Sequence, residues 1–505
     1  MSLNKKKIFI FLQRNWGRKI GHPIAKRFSD EGASMGALTL KKDYHQGYLN
    51  DSFKYDWIAS HDDIMNNPKK FLGDDSFSIE EICLDLEIDS IWPFVQSMRE
   101  HVRNYKNKFF FGSFKQNVTD EDILLYVKAI YKLLLKIKKE FSPEIFILPN
   151  FVSLLHIFTY LFCKKNSIKI FAYTTASIKD ASIFINDIYE STGRFFEELN
   201  QCTKDNKLPI KEELIDEYLE KEFLKFKDDD KKIDFKLDLF INSLRLGKKI
   251  YKSLIKKDQS HHKEKENLIG VYQDNLKTRY LIRDYFSYNL NFIKTKKIKY
   301  YDLEKINNFV YMPLQFQPEA NIDVISVTFN NQIETARQIA MNLPGDLTLV
   351  VKDHPEMMGL RSYEYLEKVL KTPNVKLIDS SYKGTYVIRK AKLLIAPVGT
   401  SFFEAALMKK PGLMFGNLGT AKILPNTLSI ENYKEIPKKI KEIMQMSKDW
   451  NDDYMRQLKI IIGCSLNCSM EEENNYTKYW TTKDNSKETF NFIYNQFKNE
   501  VNRLI

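Results

Sequence analysis

From about residue 305 to residue 416, short apolar runs alternate with helix-patterned stretches across brief loops, a rhythm that leaves room for little but a layered α/β domain. The run Phe309-Val-Tyr-Met312 stops at Pro313. The spacing then predicts a helix over about Ile333 to Met341, broken by Pro344-Gly345, and a strand from Leu347 to Lys352. A helix from Tyr363 to Leu370, a strand Val375–Ile378, a helix up to Ala391 and a strand Leu393–Ala396 follow. The turn Val398-Gly-Thr-Ser401 leads into a helix from Phe402 to Met408 and a strand near Leu413–Phe415. Strands apolar on both faces are buried on both faces, and crossover helices are what cover them. Ligands of such parallel sheets settle at the carboxyl ends of the strands.

The same alternation opens the chain. The strand Ile8-Phe-Ile-Phe-Leu12, a loop with Arg14, Asn15, Trp16 and Gly17, a helix through Ile24, Ala25 and Phe28, and a strand near Ala37–Leu40 form a β-α-β start. It returns as a helix from Glu121 to Lys139, a strand Ile145–Leu148, a helix Leu154–Cys163 and a strand Ile168–Ala172. A chain of 505 residues is too long for one core of roughly 100–200 residues. The expected division is an N-terminal doubly wound, Rossmann-like acceptor domain over 1–200, a charged helical insert or connector over 201–300, a second Rossmann-like, nucleotide-binding domain over 301–440, and C-terminal helices over 441–505. Residues 201–270 hold 17 basic and 15 acidic residues, so opposite charges lace the exposed faces of a helical hairpin or arm. In the tail, Phe490, Phe492, Ile493, Phe497 and Val501 recur at helical spacing, as in a helix crossing back onto the first domain.

With 43% hydrophobic and 13% aromatic residues the chain is not disordered, and 18 Gly with 15 Pro exclude collagen-like and low-complexity classes. Five cysteines in this length make no disulfide framework and point to a reducing compartment. The net charge of +12 is lysine on solvated helix faces, or it serves an anionic substrate or an anionic membrane surface. Nucleic acid ranks last, for want of an arginine-rich arm, zinc-finger spacing or a basic–aromatic signature. Five apolar residues, Ile8 to Leu12, are too few for a signal peptide, and Leu154–Cys163 is half of the ~20 needed to span a bilayer. A cytoplasmic protein, soluble or peripheral on the inner face of the plasma membrane, is expected.

Three segments carry candidate chemistry. In Leu349-Val-Val-Lys-Asp-His354-Pro355 the histidine follows a strand directly, where a cationic or N–H-donating imidazole, with Lys352 nearby, stabilises a phosphate leaving group; otherwise His354 merely caps the strand. In Pro397-Val-Gly399-Thr400-Ser401-Phe-Phe-Glu404, a Gly turn and two hydroxyls precede a helix whose N–H groups suit a phosphate. Capping alone explains the hydroxyls equally well, and Glu404 is either a ribose contact or a first-turn acid. Pro313-Leu-Gln315-Phe-Gln317-Pro318-Glu319 is a polar loop bounded by prolines, with Glu319 a base, a nucleophile or an oxocarbenium stabiliser, or else part of a solvated turn. Arg361 is placed to grip a carboxylate or lies free on the surface. Arg14, Asn15, Arg18, Lys19 and His22, after the first strand, are positional candidates for an acceptor site.

Residues 309–416 resemble the capsule polysaccharide biosynthesis family, which includes the bacterial Kdo transferases. The resemblance rests on Pro313-Leu-Gln-Phe-Gln-Pro-Glu319, Val351-Lys-Asp-His-Pro355 with Gly359-Leu-Arg361-Ser362, Pro373-Asn-Val375, Gly399-Thr-Ser, Glu404-Ala405 and Lys410-Pro411. Pro143 to about Ser177 is loosely similar to the family's N-terminal half, whereas 201–270 has no counterpart. The resemblance implies a GT-B-like glycosyltransferase, two Rossmann-like domains facing a cleft, that takes an acidic sugar such as Kdo from a CMP donor to a glycan or glycolipid acceptor. It places His354 on the nucleotide phosphate, with Lys352, Gly399, Thr400, Ser401 and Glu404 around the nucleotide, and Gln317 and Arg361 on the donor sugar. It implies no cofactor beyond that co-substrate and no metal; Cys464 and Cys468 then read as helix-face residues. Kdo transferases of the best-described type carry a Gln and an Asp where this chain has Gln317-Pro-Glu319, so the nucleophile and the stereochemistry stay open. Two other readings stand beside it: a CDP-polyol phosphotransferase of teichoic-acid type, and a non-catalytic scaffold of capsule assembly working through 201–270.

Overall fold

The computed structural model describes residues 3–40, 42–97, 119–176, 178, 181–227, 231–233, 239–255, 278–317, 319–416, 418–448, 450–470, 475–482 and 486–505. Two six-stranded sheets dominate it. The first contains β1 (Lys7–Leu12), β2 (Ser34–Thr39), β3 (Trp57–Ser60), β4 (Ile145–Ile147), β5 (Lys169–Thr175) and β6 (Ser182–Ile185), in the order β3-β2-β1-β4-β5-β6. All pair in parallel except β6, which is antiparallel to β5. The second contains β7 (Phe309–Pro313), β8 (Thr348–Lys352), β9 (Val375–Ile378), β10 (Leu393–Ala396), β11 (Gly412–Met414) and β12 (Thr427–Ser429), all parallel, in the order β12-β11-β10-β7-β8-β9. The chain is thus an α/β protein of two doubly wound, Rossmann-like domains.

The two-residue period of a strand explains why these runs are apolar throughout. In β1, Phe9 and Phe11 enter one core cluster while Ile8, Ile10 and Leu12 enter another on the opposite face. In β7, Phe309 and Tyr311 face one way and Val310 and Met312 the other. Each face is covered by helices, among them Asp120–Glu140 and Leu154–Lys165 in the first domain and Gln332–Asn342 and Tyr363–Leu370 in the second. Leu154–Lys165, which contains the longest apolar stretch of the sequence, is a buried core helix; no helix among the described residues is long and apolar enough to cross a membrane.

Three strands were not expected from the sequence. β3 and β12 are edge strands of only four and three residues, and β6 is an antiparallel addition that follows no helix.

The charged stretch 201–270 is not one arm. The helix Glu212–Lys227 lies on the helix Asp452–Asn467, where Lys459 pairs with both Glu212 and Asp216 at 2.7 Å. The helix Leu239–Ile255 instead meets Thr278–Lys296, and Asn242 Nδ2 donates to Asn289 Oδ1 at 3.2 Å. Residues 228–230, 234–238 and 256–277 lie outside the described set. The last helix, Lys487–Leu504, crosses back as expected: Phe497 packs on Phe171 at 5.9 Å and on Phe184 at 4.9 Å between ring centroids.

One buried histidine sets an acid limit on this first domain. His61 Nε2 meets the Tyr126 hydroxyl at 2.7 Å, and burial pulls its pKa down from 6.5 to about 3. The folded state therefore resists protonation that the unfolded chain accepts below pH 6.5. Stability is full above that pH and falls as the pH drops towards 3, by on the order of 4 kcal/mol. Urea melts from pH 7 to pH 4 are expected to show this loss, and His61→Gln to flatten it; equal slopes in the two proteins would remove His61 from the account.

Candidate active site

β10, β7 and β8 are neighbours in the second sheet, so the loops leaving their carboxyl ends lie side by side. Two strand spacings, about 10 Å, separate the outer two. The loop after β7 fills the middle. Its Gln315 side chain faces Gly399 and Ser401: a Cβ on Gly399 would lie 3.4 Å from Gln315 Oε1. The next residue, Phe316, meets the His354 ring edge-on at 5.9 Å. The structure thus gathers Gln315, His354, Gly399 and Ser401 around one stretch of the cleft. Gly399 has φ of 131°, a conformation that an L side chain would strain.

His354 is half-buried, and its Nδ1 accepts the backbone N–H of Glu356 at 3.2 Å. That contact assigns the remaining proton to Nε2. Burial, and then the Lys352 charge, hold the pKa below the usual histidine value. Of the two forms left open by the sequence, the neutral N–H donor is the one favoured. Lys352 is 4% exposed, and burial brings its pKa down to about 8 against the opposing pull of Asp353, Glu404 and Asp379. It remains an ammonium at pH 7.

That helix, Ser401–Leu407, has only seven residues, so its dipole is small. Thr400 occupies the capping position without a side-chain capping bond, and Ser401 Oγ is buried without a hydrogen-bond partner among the described residues. Side-chain capping therefore does not account for the two hydroxyls, and the N–H groups of Phe402, Phe403 and Glu404 already donate to the Gly399 and Thr400 carbonyls.

Several expected contacts are placed differently. Arg361 is 2% exposed rather than facing a ligand: Nε donates to Asp353 Oδ1 at 2.9 Å, Nη2 donates to the Gln315 carbonyl at 2.6 Å, and the guanidinium lies 4.6 Å from the Tyr365 ring centroid. It fastens the β8 loop to the β7 loop. Gln317 is likewise engaged within its loop: its Nε2 donates to Asp323 Oδ1 at 2.9 Å and to the Asn330 carbonyl at 3.2 Å, and its Oε1 accepts from Gln332 Nε2 at 3.1 Å. Glu319 is half-buried, with its backbone N–H donating to Asp323 Oδ2 at 3.0 Å.

In the first domain, Asn15 Nδ2 donates to the Trp480 carbonyl, and His22 sits between the Tyr55 hydroxyl at 2.8 Å and Asp51 at 3.5 Å, its pKa lowered by burial. Both hold the first domain together rather than face an acceptor. Arg18 is exposed, and the Arg14 side chain lies outside the described set.

Sequence reasoning missed the residues that hold this geometry. Gln332, fully buried, accepts from the Gln315 backbone N–H at 2.6 Å and donates to the Gln315 carbonyl at 3.3 Å, so one side chain fixes the β7 loop. Asp353 Oδ1 accepts from the His354 backbone N–H at 2.8 Å as well as from Arg361. Glu190 is the third. Its carboxylate accepts from the Thr174 hydroxyl at 2.8 Å, and burial pushes its pKa up to about 7. It stands where the domains touch: Gly419 N–H donates to the Tyr189 carbonyl at 2.9 Å, and a Cβ on Gly419 would lie 2.1 Å from the Glu190 carbonyl oxygen.

A cavity of about 540 Å³ opens between the domains, lined by Ile157 and Tyr189 on one side and Ser326, Phe415 and Gly416 on the other. That is a usual size for a small-molecule site. It lies at the β11 end of the cleft, and His354 and Gly399 are outside its lining.

The architecture and this cleft define a two-domain α/β protein with a candidate anion site on its second sheet. Residues 246–419 match the model of the family described as Capsule polysaccharide biosynthesis protein. No curated protein matches the chain in sequence. Among solved structures, Thermosulfurimonas dismutans KpsC, titled a beta Kdo 2,7 transferase, is 13% identical, with 68% of this chain and 82% of that chain covered and a TM-score of 0.26. The UDP-GlcNAc 2-epimerase of Methanocaldococcus jannaschii is 11% identical over 91% of this chain and 99% of its own, with a TM-score of 0.25. A glycosyltransferase of Rickettsia africae ESF-5 is 9% identical over 99% of both chains, also at 0.25. Likenesses this slight say nothing of what the chain acts on, and the architecture stands on its own strand order.

Proposed function

We propose that the protein is a glycosyltransferase of capsule or surface-polysaccharide synthesis, and that its donor is a CMP-activated acidic sugar of the Kdo type. The observation that carries this reading is the placement, at the ends of β8 and β10 on either side of the β7 loop, of an N–H-donating imidazole, a buried ammonium and a serine hydroxyl without a partner among the described residues. Those are donors for one phosphate group, and its negative charge grows as the bond to the sugar breaks. His354 Nε2 donates to that phosphate, Lys352 supplies the charge, and Gly399, Thr400 and Ser401 meet its other side. Glu404 holds the ribose hydroxyls. Glu319 acts near the anomeric carbon on a loop that Gln317, Arg361 and Gln332 keep in place. With the phosphate met by these groups, the transfer step takes no metal. The +12 net charge holds the protein near an anionic leaflet that carries the acceptor.

The experiment is a thermal-shift panel of CMP, CDP, UDP, GDP and ADP. CMP is expected to stabilise most, by about 2.7 kcal/mol at a hundredfold excess over its dissociation constant. Its affinity is expected to fall above about pH 8, where Lys352 loses its proton. A larger shift with CDP, together with phosphorus retained in the product, supports the polyol phosphotransferase instead. No shift with any nucleotide leaves a scaffold as the reading.

A further inference from the structure

Away from the strand ends of the second sheet, four side chains meet where the helix Arg194–Asp205 crosses the helix Asp452–Asn467. Glu198 and Cys202 stand one turn apart on the first, and Cys464 and Cys468 face them from the second and its C-cap, so each presents an i, i+4 pair. A Glu198 carboxylate oxygen, Cys202 Sγ and Cys464 Sγ all lie within 4.8 Å of one another. Cys468 Sγ donates to Glu198 Oε2 at 2.9 Å. All three cysteines are buried and free of disulfides. Asn467 Nδ2 donates to Glu198 Oε1 at 2.6 Å and so helps to orient the carboxylate.

Three sulfurs and a carboxylate oxygen are the donor set of a tetrahedral thiophilic cation. With Zn–S near 2.3 Å and Zn–O near 2.1 Å, the ligand atoms of such a site lie roughly 3.5–4 Å apart; Glu198, Cys202 and Cys464 stand within a small side-chain adjustment of that spacing, and Cys468 Sγ has to turn in from its Glu198 contact to join them. Thiolates of this kind select zinc over calcium or magnesium, which take all-oxygen shells.

We propose that Glu198, Cys202 and Cys464, completed by Cys468, bind one zinc ion that fastens the helix Asp452–Asn467 to the first domain. The ligands come from segments about 260 residues apart in sequence, so the ion closes a long loop of chain, where a cross-link has most effect on the unfolded state. As the metal enters, each ligating thiol gives its proton to water, and no redox partner is involved. The site is closed, without an open coordination position, and is structural. The inference does not depend on the glycosyltransferase reading, because none of its ligands belongs to the candidate active site.

The full-length protein, expressed with zinc and purified under reducing conditions, is expected to carry about one equivalent by elemental mass spectrometry. Chelation should lower its Tm, and added zinc should restore it. Replacement with cobalt should give a thiolate-to-cobalt charge-transfer band. Cys202→Ser and Cys464→Ser should each lose tenfold or more in affinity, whereas Cys83→Ser, on a different helix, should not. Should the variants fail to fold, the cobalt spectrum of the unaltered protein decides. Less than about a tenth of an equivalent of zinc and no charge-transfer band, or a Cys202–Cys464 disulfide forming in place of metal uptake, would overturn the proposal.

Discussion

His354→Ala is expected to lower kcat/KM of the transfer reaction by 10²- to 10⁴-fold, about 3–5 kcal/mol of transition-state stabilisation, with the fold intact. The imidazole touches the rest of the protein lightly: an edge-on contact with Phe316 and a bond from the Glu356 N–H. Removing the latter is the loss of one capping bond, about 1 kcal/mol and a few degrees in Tm at most. His354→Asn separates the two roles. Asparagine is a strong capping residue, so its carbonyl can take the Glu356 N–H and recover the Tm, but its amide cannot reach where Nε2 points. Activity should stay low in the asparagine variant while stability returns. The pH profile carries a sign as well. The pKa of His354 is lowered, so the neutral donor persists below pH 6.5, and only further acidification charges the ring and breaks the Nδ1 contact. Loss of activity is therefore expected on the acid side below the usual histidine range. Full turnover in His354→Ala, measured with the nucleotide-sugar whose nucleotide the thermal-shift panel selects, would remove the histidine from the mechanism.

The parts of this protein that were legible in its sequence are those where one physical cause acts locally. Strands such as Val310–Met312 and Leu393–Ala396 read clearly because burial on both faces leaves no polar position in the run. The edge strands β3 and β12 did not, because an edge has fewer neighbours to demand apolar residues and three or four residues are too few for a pattern. The same contrast runs through the site. His354 and the Gly399–Ser401 turn are marked by chain geometry: a proline directly after the histidine, and a glycine with positive φ before a helix. Arg361 and Gln317 drew attention for their residue type, but residue type does not say whether a guanidinium or an amide faces a ligand or a neighbouring loop.

The partners that decide this are distant in sequence, Gln315 being 46 residues from Arg361 and Gln332 being 15 from Gln317. The one local hint was Asp353, an acid between Lys352 and His354, and in the structure it pairs with Arg361. Glu190 left no trace in the sequence at all, since what raises its pKa is burial beside Asp187 near the domain junction.

Arg361→Ala is the change expected to cost most in stability. The arginine and Asp353 are 2% and 5% exposed, and deleting one partner of a buried pair leaves the other charge without compensation, at about 3–5 kcal/mol. For a domain of this size that is on the order of 10 °C in Tm. Arg361→Lys should fall between, because a single ammonium cannot serve both Asp353 Oδ1 and the Gln315 carbonyl. A residue that gripped a donor carboxylate would behave otherwise: its alanine variant would melt normally and lose only affinity. The double change Arg361→Met with Asp353→Leu goes further. Apolar replacement of a whole buried pair is often neutral, so the Tm should recover most of its loss. Activity should not recover, because Asp353 Oδ1 also holds the His354 backbone N–H, and the β7 loop has lost the guanidinium that bound the Gln315 carbonyl. Recovery of Tm and turnover together would mean that the pair only supports the fold. Recovery of Tm alone would show that its function is to hold the imidazole and the β7 loop in the positions that the proposed transfer needs.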